Sequence, residues 1–116
     1  MANTFKLKTN AAIPASSGRP FTLYTCQSST ETIVIGLTLC NVHTRAVTAD
    51  VQLVSDTSDT ETNETVLIIN DVDIPAKSSL EVLSGGKYVS QATDVLKIDC
   101  SVAAKIDATL SILEIT

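Results

Sequence analysis

The segment TIVIGLTLCNV at residues 32–42 constrains the fold more than any other stretch of the chain. Its odd positions Ile33, Ile35, Leu37 and Leu39 are large aliphatics, while Val34, Gly36, Thr38, Cys40 and Val42 are smaller and still mostly apolar. A strand sends successive side chains to opposite faces. The pattern predicts a strand buried through its odd-numbered face and half covered on the other, at the centre of an all-β domain. On that basis Ile35→Asp, which forces an unpaired charge into the core, is expected to leave the chain insoluble.

The rest of the chain supplies partners for such a strand. Residues 4–8 (TFKLK) alternate with Phe5 and Leu7 on one side, and Lys6 and Lys8 are the charges that an edge strand tends to carry. Residues 10–20 (NAAIPASSGRP) hold two prolines and a glycine, which fit neither a helix nor a central strand, so residues 11–19 read as an extended arm. Residues 21–26 predict a strand with Phe21 and Leu23 opposite Tyr24 and Cys26. Residues 46–54 alternate, with Val47, Ala49, Val51 and Leu53 inward, and are expected to form a hairpin with residues 32–42. Residues 65–70 predict an interior strand, 71–77 a bend at Pro75, and 78–83 another strand ended by Gly85-Gly86. Residues 87–94 carry helical spacing through Tyr88, Val89, Ala92, Val95 and Leu96, enough for at most one turn. Strands follow at 95–100 and 106–115; in the latter Ile106, Ala108, Leu110 and Ile112 point inward and Glu114 breaks the series.

Seven or eight strands without βαβ alternation predict a two-sheet antiparallel β-sandwich, jelly-roll-like in outline. A chain of 116 residues is expected to form one such domain over residues 21–116, preceded by an edge strand and arm over residues 1–20. With 44% hydrophobic but only 3% aromatic residues, the core must be built of Val, Ile, Leu and Ala.

A formal charge of −5 with scattered basic residues argues against nucleic-acid binding, which needs clustered Lys and Arg. The N-terminal MANTFKLKTN lacks the apolar core of a secretory signal. The longest apolar run is well short of the roughly 18 residues of a membrane helix. The expectation is a soluble intracellular product, or one that leaves its cell by lysis. Cys26, Cys40 and Cys100 form no CxxC, and an odd count fits free thiols.

No residue pattern predicts a catalytic, cofactor or metal site, and no enzyme activity is expected. His43 is the single histidine, sits in an expected turn, and lacks a GxSxG nucleophile to serve. Together with the three cysteines it makes four possible zinc ligands without any finger spacing, and Cys40 and Cys100 have apolar neighbours that suit buried thiols. The acidic loop at 55–64, with Asp56, Asp59, Glu61 and Glu64, lacks the central Gly of a calcium-binding loop. Ser84-Gly85-Gly86-Lys87 lacks the spacing of a phosphate loop and reads as a tight turn. Phe5, Phe21, Tyr24 and Tyr88 do not cluster in sequence, which disfavours a base- or sugar-stacking surface.

The strand series FTLYTCQSSTETIVIGLTLCNV, followed by DIPAKSSLEVLSGGKYVSQATDVLKIDCSVAAKIDATLSILEIT, resembles small virion proteins of tailed bacteriophages, particularly those of cyanophages and other marine phages. The matching stretches are residues 21–26, 32–41, 74–83, 94–98 and 112–115, within a resemblance that runs from Phe21 to Thr116. The resemblance implies a β-sandwich structural protein of the particle, foremost a capsid decoration (cement) protein, with a neck, tail or baseplate component as the alternative. It carries no site residues. Its implied partners are other virion proteins, such as the major capsid protein or neck and tail proteins, and further copies of the same chain. Apolar second faces at Val34 and Val42, Leu67 and Ile69, and Leu113 and Ile115 favour assembly for the same reason: one small sandwich cannot cover them all. A different class, a ligand- or glycan-binding module using loops 27–31 and 55–64, is the competing expectation.

Overall fold

A computed structural model describes residues 2–14, 18–55, 62–83 and 86–116. Its nine strands are β1 (Asn3–Asn10), β2 (Phe21–Thr25), β3 (Glu31–Asn41), β4 (Val47–Val54), β5 (Val66–Ile74), β6 (Ser79–Glu81), β7 (Tyr88–Ser90), β8 (Val95–Cys100) and β9 (Ile106–Ile115). Every pairing is antiparallel. The first sheet has the order β1-β9-β3-β6, with β7 also paired to β3; the second has the order β2-β8-β4-β5. The chain is therefore a two-sheet antiparallel sandwich. No helix occurs among the described residues, so the expected helical turn near residue 88 is replaced by β7. Among the described residues, no helix is long and apolar enough to cross a membrane.

Strand β3 is central, as its composition predicts: β9 lies on one edge, and β7 and β6 share the other. Its faces are not the ones that simple alternation predicts. In the ladder to β9, Val34 pairs with Ile112 and Gly36 with Ser111, so Ile35 is an extra residue on β3. A bulge of this kind reverses the inside–outside phase beyond it. Thr32 and Val34 point inward before the bulge, and Leu37, Leu39 and Asn41 after it. Ile33 and Ile35 are only half-buried. The odd-numbered face is thus correct for Leu37 and Leu39 and wrong for Ile33 and Ile35, while Val34 belongs to the core rather than to a second face.

The core between the sheets is aliphatic. Leu37, Leu39, Ile106 and Leu110 come from the first sheet, and Leu23, Val47, Val51, Ile74 and Ile98 from the second, all nearly inaccessible. Burying one such side chain contributes about 1.5–3 kcal/mol, which is how a chain so poor in aromatics can hold two sheets together.

The expected hairpin between residues 32–42 and 46–54 does not form, because β3 and β4 lie in different sheets. The crossover is pinned by Asn41, which is wholly buried. Its Nδ2 donates to the carbonyls of Arg45 and Ile74, each at 2.9 Å, and its Oδ1 accepts from the His43 N–H at 2.8 Å. A buried amide with both ends satisfied fixes the direction of the chain as it leaves the first sheet. The bend expected at 71–77 is also different: β5 runs on to Ile74 and absorbs the irregularity as a bulge near Asp71, whose φ is 50°. The Asp71 N–H donates to the Asp50 carboxylate there.

Among the described residues, strand β1 is an edge strand that pairs only with β9, and seven of its eight residues are exposed. Of the stretch expected as an arm, residues 15–17 lie outside the described residues. The described part is held against its own sandwich: Ile13 is fully buried, its N–H donates to the Ile106 carbonyl at 2.9 Å, and its carbonyl accepts from Ala104 at 2.9 Å. The Gly18 N–H donates to Asp99 Oδ2 at 3.0 Å.

The bulge moves the diagnostic core substitution from Ile35 to Leu37. Leu37→Asp is expected to cost several kcal/mol and abolish folding, whereas Ile35→Asp is expected to cost about 1–2 kcal/mol. Solubility and thermal melts of the two variants check this; equal loss of both would contradict it.

Candidate functional site

The residues of interest for chemistry are not brought together. His43 follows β3 in the turn and is half-buried. Cys26 and Cys100 are buried free thiols on β2's flank and β8, and Cys40 is half-buried on the outer face of the first sheet. Burial pushes the Cys26 thiol up; burial, with Asp99 and Asp50 adding to it, pushes Cys100 up to about 11. Both are protonated and unreactive at neutral pH. Among the described residues, no three His, Cys, Asp or Glu side chains converge as metal ligands. In the acidic loop Asp56, Asp59 and Glu61 lie outside the described residues, as do Ser84 and Gly85; the Gly86 N–H closes a turn onto the Leu83 carbonyl at 2.8 Å.

The most concentrated polar chemistry is a cluster that the sequence pattern hides. Glu114 does not break the inward series of β9: it continues it, and the residue is only 6% exposed. Its Oε1 meets Lys6 Nζ at 2.7 Å, and its Oε2 accepts from the Tyr24 hydroxyl at 2.6 Å. The Tyr24 oxygen also lies 2.7 Å from Thr32 Oγ1, which in turn lies 3.3 Å from Cys26 Sγ. Tyr24 reaches this position because β2 has a register shift between Thr22 and Tyr24, so Leu23 and Tyr24 are both buried rather than on opposite faces. The Lys6 ammonium, then the Tyr24 hydroxyl, hold the Glu114 carboxyl below its ordinary value, while burial opposes them. Burial and the neighbouring Glu114 raise Tyr24 far above the usual phenol range, so its proton stays in place as a donor. The cluster borders a groove of about 530 Å³ between β1 and β2, lined by Lys6, Lys8, Thr22, Tyr24, Gln27 and Glu114 among others. His43 does not line it. With the carboxylate neutralised and the phenol fixed as a donor, the arrangement fastens β1 to the sandwich and offers no free base or nucleophile.

The two outer faces of the sandwich differ sharply. On the second sheet Asp50 stands opposite Asp99, Gln52 opposite Lys97, and Thr48 opposite Asp73. Asp99 Oδ1 is buried there without a hydrogen-bond partner. On the first sheet the register aligns Phe5 with Leu113, Leu113 with Ile33, and Ile33 with Val89, an apolar row across four strands. Phe5 is 75% exposed, Leu7 68% and Val89 58%, while Leu113, Ile115 and Ile33 are half-buried. Of the other expected second faces, Val42 and Leu67 are exposed, and Ile69 packs against the core.

No protein-family model matches the chain, and no curated protein matches it. Solved structures do. The chain is similar in fold to a protein in the crystal structure of the infectious bursal disease virus particle, with a TM-score of 0.57 at 10% identity over 97% of this chain and 30% of that one. A second similar chain comes from the crystal structure of the infectious bursal disease virus VP2 subviral particle, with a TM-score of 0.45 at 14% identity over 95% of this chain and 32% of that one. This chain thus spans about a third of the length of the structures it matches, and what the first likeness shows is the sandwich fold.

The Glu114 cluster has a pH signature. A carboxyl whose folded pKa lies below its unfolded 4.5 contributes stability above that value and loses it as pH falls through the folded value. Wild type is expected to melt above Glu114→Gln at about pH 7, with the gap closing as pH is lowered below 4.5. Thermal melts of both proteins across that range check it; a gap that does not change with pH would contradict a charged Glu114.

Proposed function

We propose that the chain is a non-enzymatic structural protein of a virus particle, assembling with other particle proteins and with copies of itself. The observation that carries this reading is the likeness in fold to the infectious bursal disease virus particle protein along almost the whole chain. The apolar row on the first sheet supports it independently, since an exposed apolar patch of that kind marks a contact surface in a soluble protein. The phage resemblance of residues 21–116 supports a finer version: a capsid decoration protein of a tailed bacteriophage, in preference to a neck, tail or baseplate part, located in the virion. In that version residues 1–20 contribute through the exposed side chains of β1, and residues 21–116 supply the sandwich. Its partner is the major capsid protein, and neither nucleic acid nor membrane is contacted.

Particles purified from lysate and analysed by quantitative mass spectrometry test the reading. The chain is expected in many copies per particle, remaining with the heads when tails are removed. Presence in lysate with absence from particles would overturn the reading. Recovery with tails alone would overturn decoration and leave the structural role.

A further inference from the structure

We infer that the outer face of the first sheet is buried against the same face of a second copy of this chain, across a two-fold axis. The inference deepens the particle reading, on which it rests for its biological setting, but its physical argument is separate.

The row Phe5–Leu113–Ile33–Val89 is uncharged, and so are the side chains flanking it along β1 and β9: Leu7, Thr9, Thr109 and Ser111. Glu31 and Asp107 stand at the ends of the face, and the Glu81 carboxylate reaches in from β6 to accept from the Leu37 N–H and the Thr38 hydroxyl of β3. The chain as a whole carries −5, and the opposite outer face carries Asp50, Asp73 and Asp99 together with Lys97. Two identical acidic molecules repel through any face that presents carboxylates at its centre, and approach more easily through one whose centre is uncharged. Depletion of charge at the centre with charge at the rim is also the composition of interface cores.

The face suits a copy of itself in its polar groups as well. Thr9, Thr109 and Ser111 carry hydroxyls, each both donor and acceptor, so a two-fold can pair them without a complementary partner chemistry. Its size suits a weak, concentration-dependent interface. The β1–β9 ladder is eight residue pairs long with β3 beside it, and β7 adds three residues at the end of the row. At strand spacings of about 4.8 Å and about 3.3 Å per residue this is a footprint on the order of 400 Å² per copy, or about 850 Å² for the pair, at the low end of interface sizes.

Sedimentation of the full chain across a wide concentration range tests the interface, with Phe5→Glu and Val89→Glu as variants on two different strands and Gln52→Glu as a control on the opposite sheet. Both positions are exposed in the subunit, so circular dichroism is expected to show all three variants folded. Wild type and Gln52→Glu are expected to dimerise, and Phe5→Glu and Val89→Glu to raise the dimer dissociation constant by about tenfold or more. A wild-type monomer throughout the range would overturn the inference and show that another molecule covers the face. An oligomer indifferent to both variants would overturn it too. Failure here is distinct from failure of the particle reading: a monomer found in virions sinks only the interface, and a face-dependent dimer absent from virions sinks only the particle role.

Discussion

Strand β3 holds the sandwich together, and one extra residue in it decides what each face of the first sheet is made of. The bulge at Ile35 lets Val34 and Leu37, an odd number of positions apart, both point into the core. It also divides the free edge of β3 between two partners, with β7 alongside Thr32–Val34 and β6 alongside Thr38–Cys40. The result is a strand whose aliphatics serve both sides: Val34, Leu37 and Leu39 close the core, and Ile33 joins the apolar row outside. Core cohesion and the exposed apolar face therefore have one origin.

The remaining polar features follow from closing this frame. Asn41 carries the chain from one sheet to the other, and its hydrogen bonds replace the strand pairing that the crossover gives up. Glu114 sits where the inner face of β9 meets the open side of the sandwich, and Lys6 and Tyr24 neutralise and saturate it. The pair joins a half-exposed ammonium to a buried carboxylate, so removing the lysine would leave a buried charge without its counter-ion. It gives β1 a point of attachment beyond its ladder to β9. Phe5 and Leu7 are thereby held in line with the sheet.

The all-β class, the two-sheet architecture and the spans of β8 and β9 were legible from alternation and turn residues. The purely aliphatic core was legible from composition. Three things were not. The bulge at Ile35 leaves no mark in a segment where every neighbour is apolar, because both phases look acceptable. The separation of β3 from β4 depends on a buried asparagine that reads locally as a turn residue. The role of Glu114 was hidden because its partners Lys6 and Tyr24 are 108 and 90 positions away in a chain of 116, so polarity at the end of β9 looked like exit into solvent. The faint available signal was that Glu114 falls in phase with Ile106, Leu110 and Ile112. The apolar outer face was partly legible in Leu113 and Ile115, but its continuity through Phe5, Ile33 and Val89 needs the strand register.

Deleting Ile35 tests the bulge most directly. If Ile35 is the inserted residue, its removal restores simple alternation with Thr32, Val34, Leu37, Leu39 and Asn41 still inward, so the deletion variant is expected to stay soluble and melt within about 4–8 °C of wild type, the shift of roughly 1 kcal/mol in a domain of this size. If β3 alternated without interruption, the same deletion would turn Leu37 and Leu39 out of the core. An unfolded, insoluble deletion variant would contradict the account.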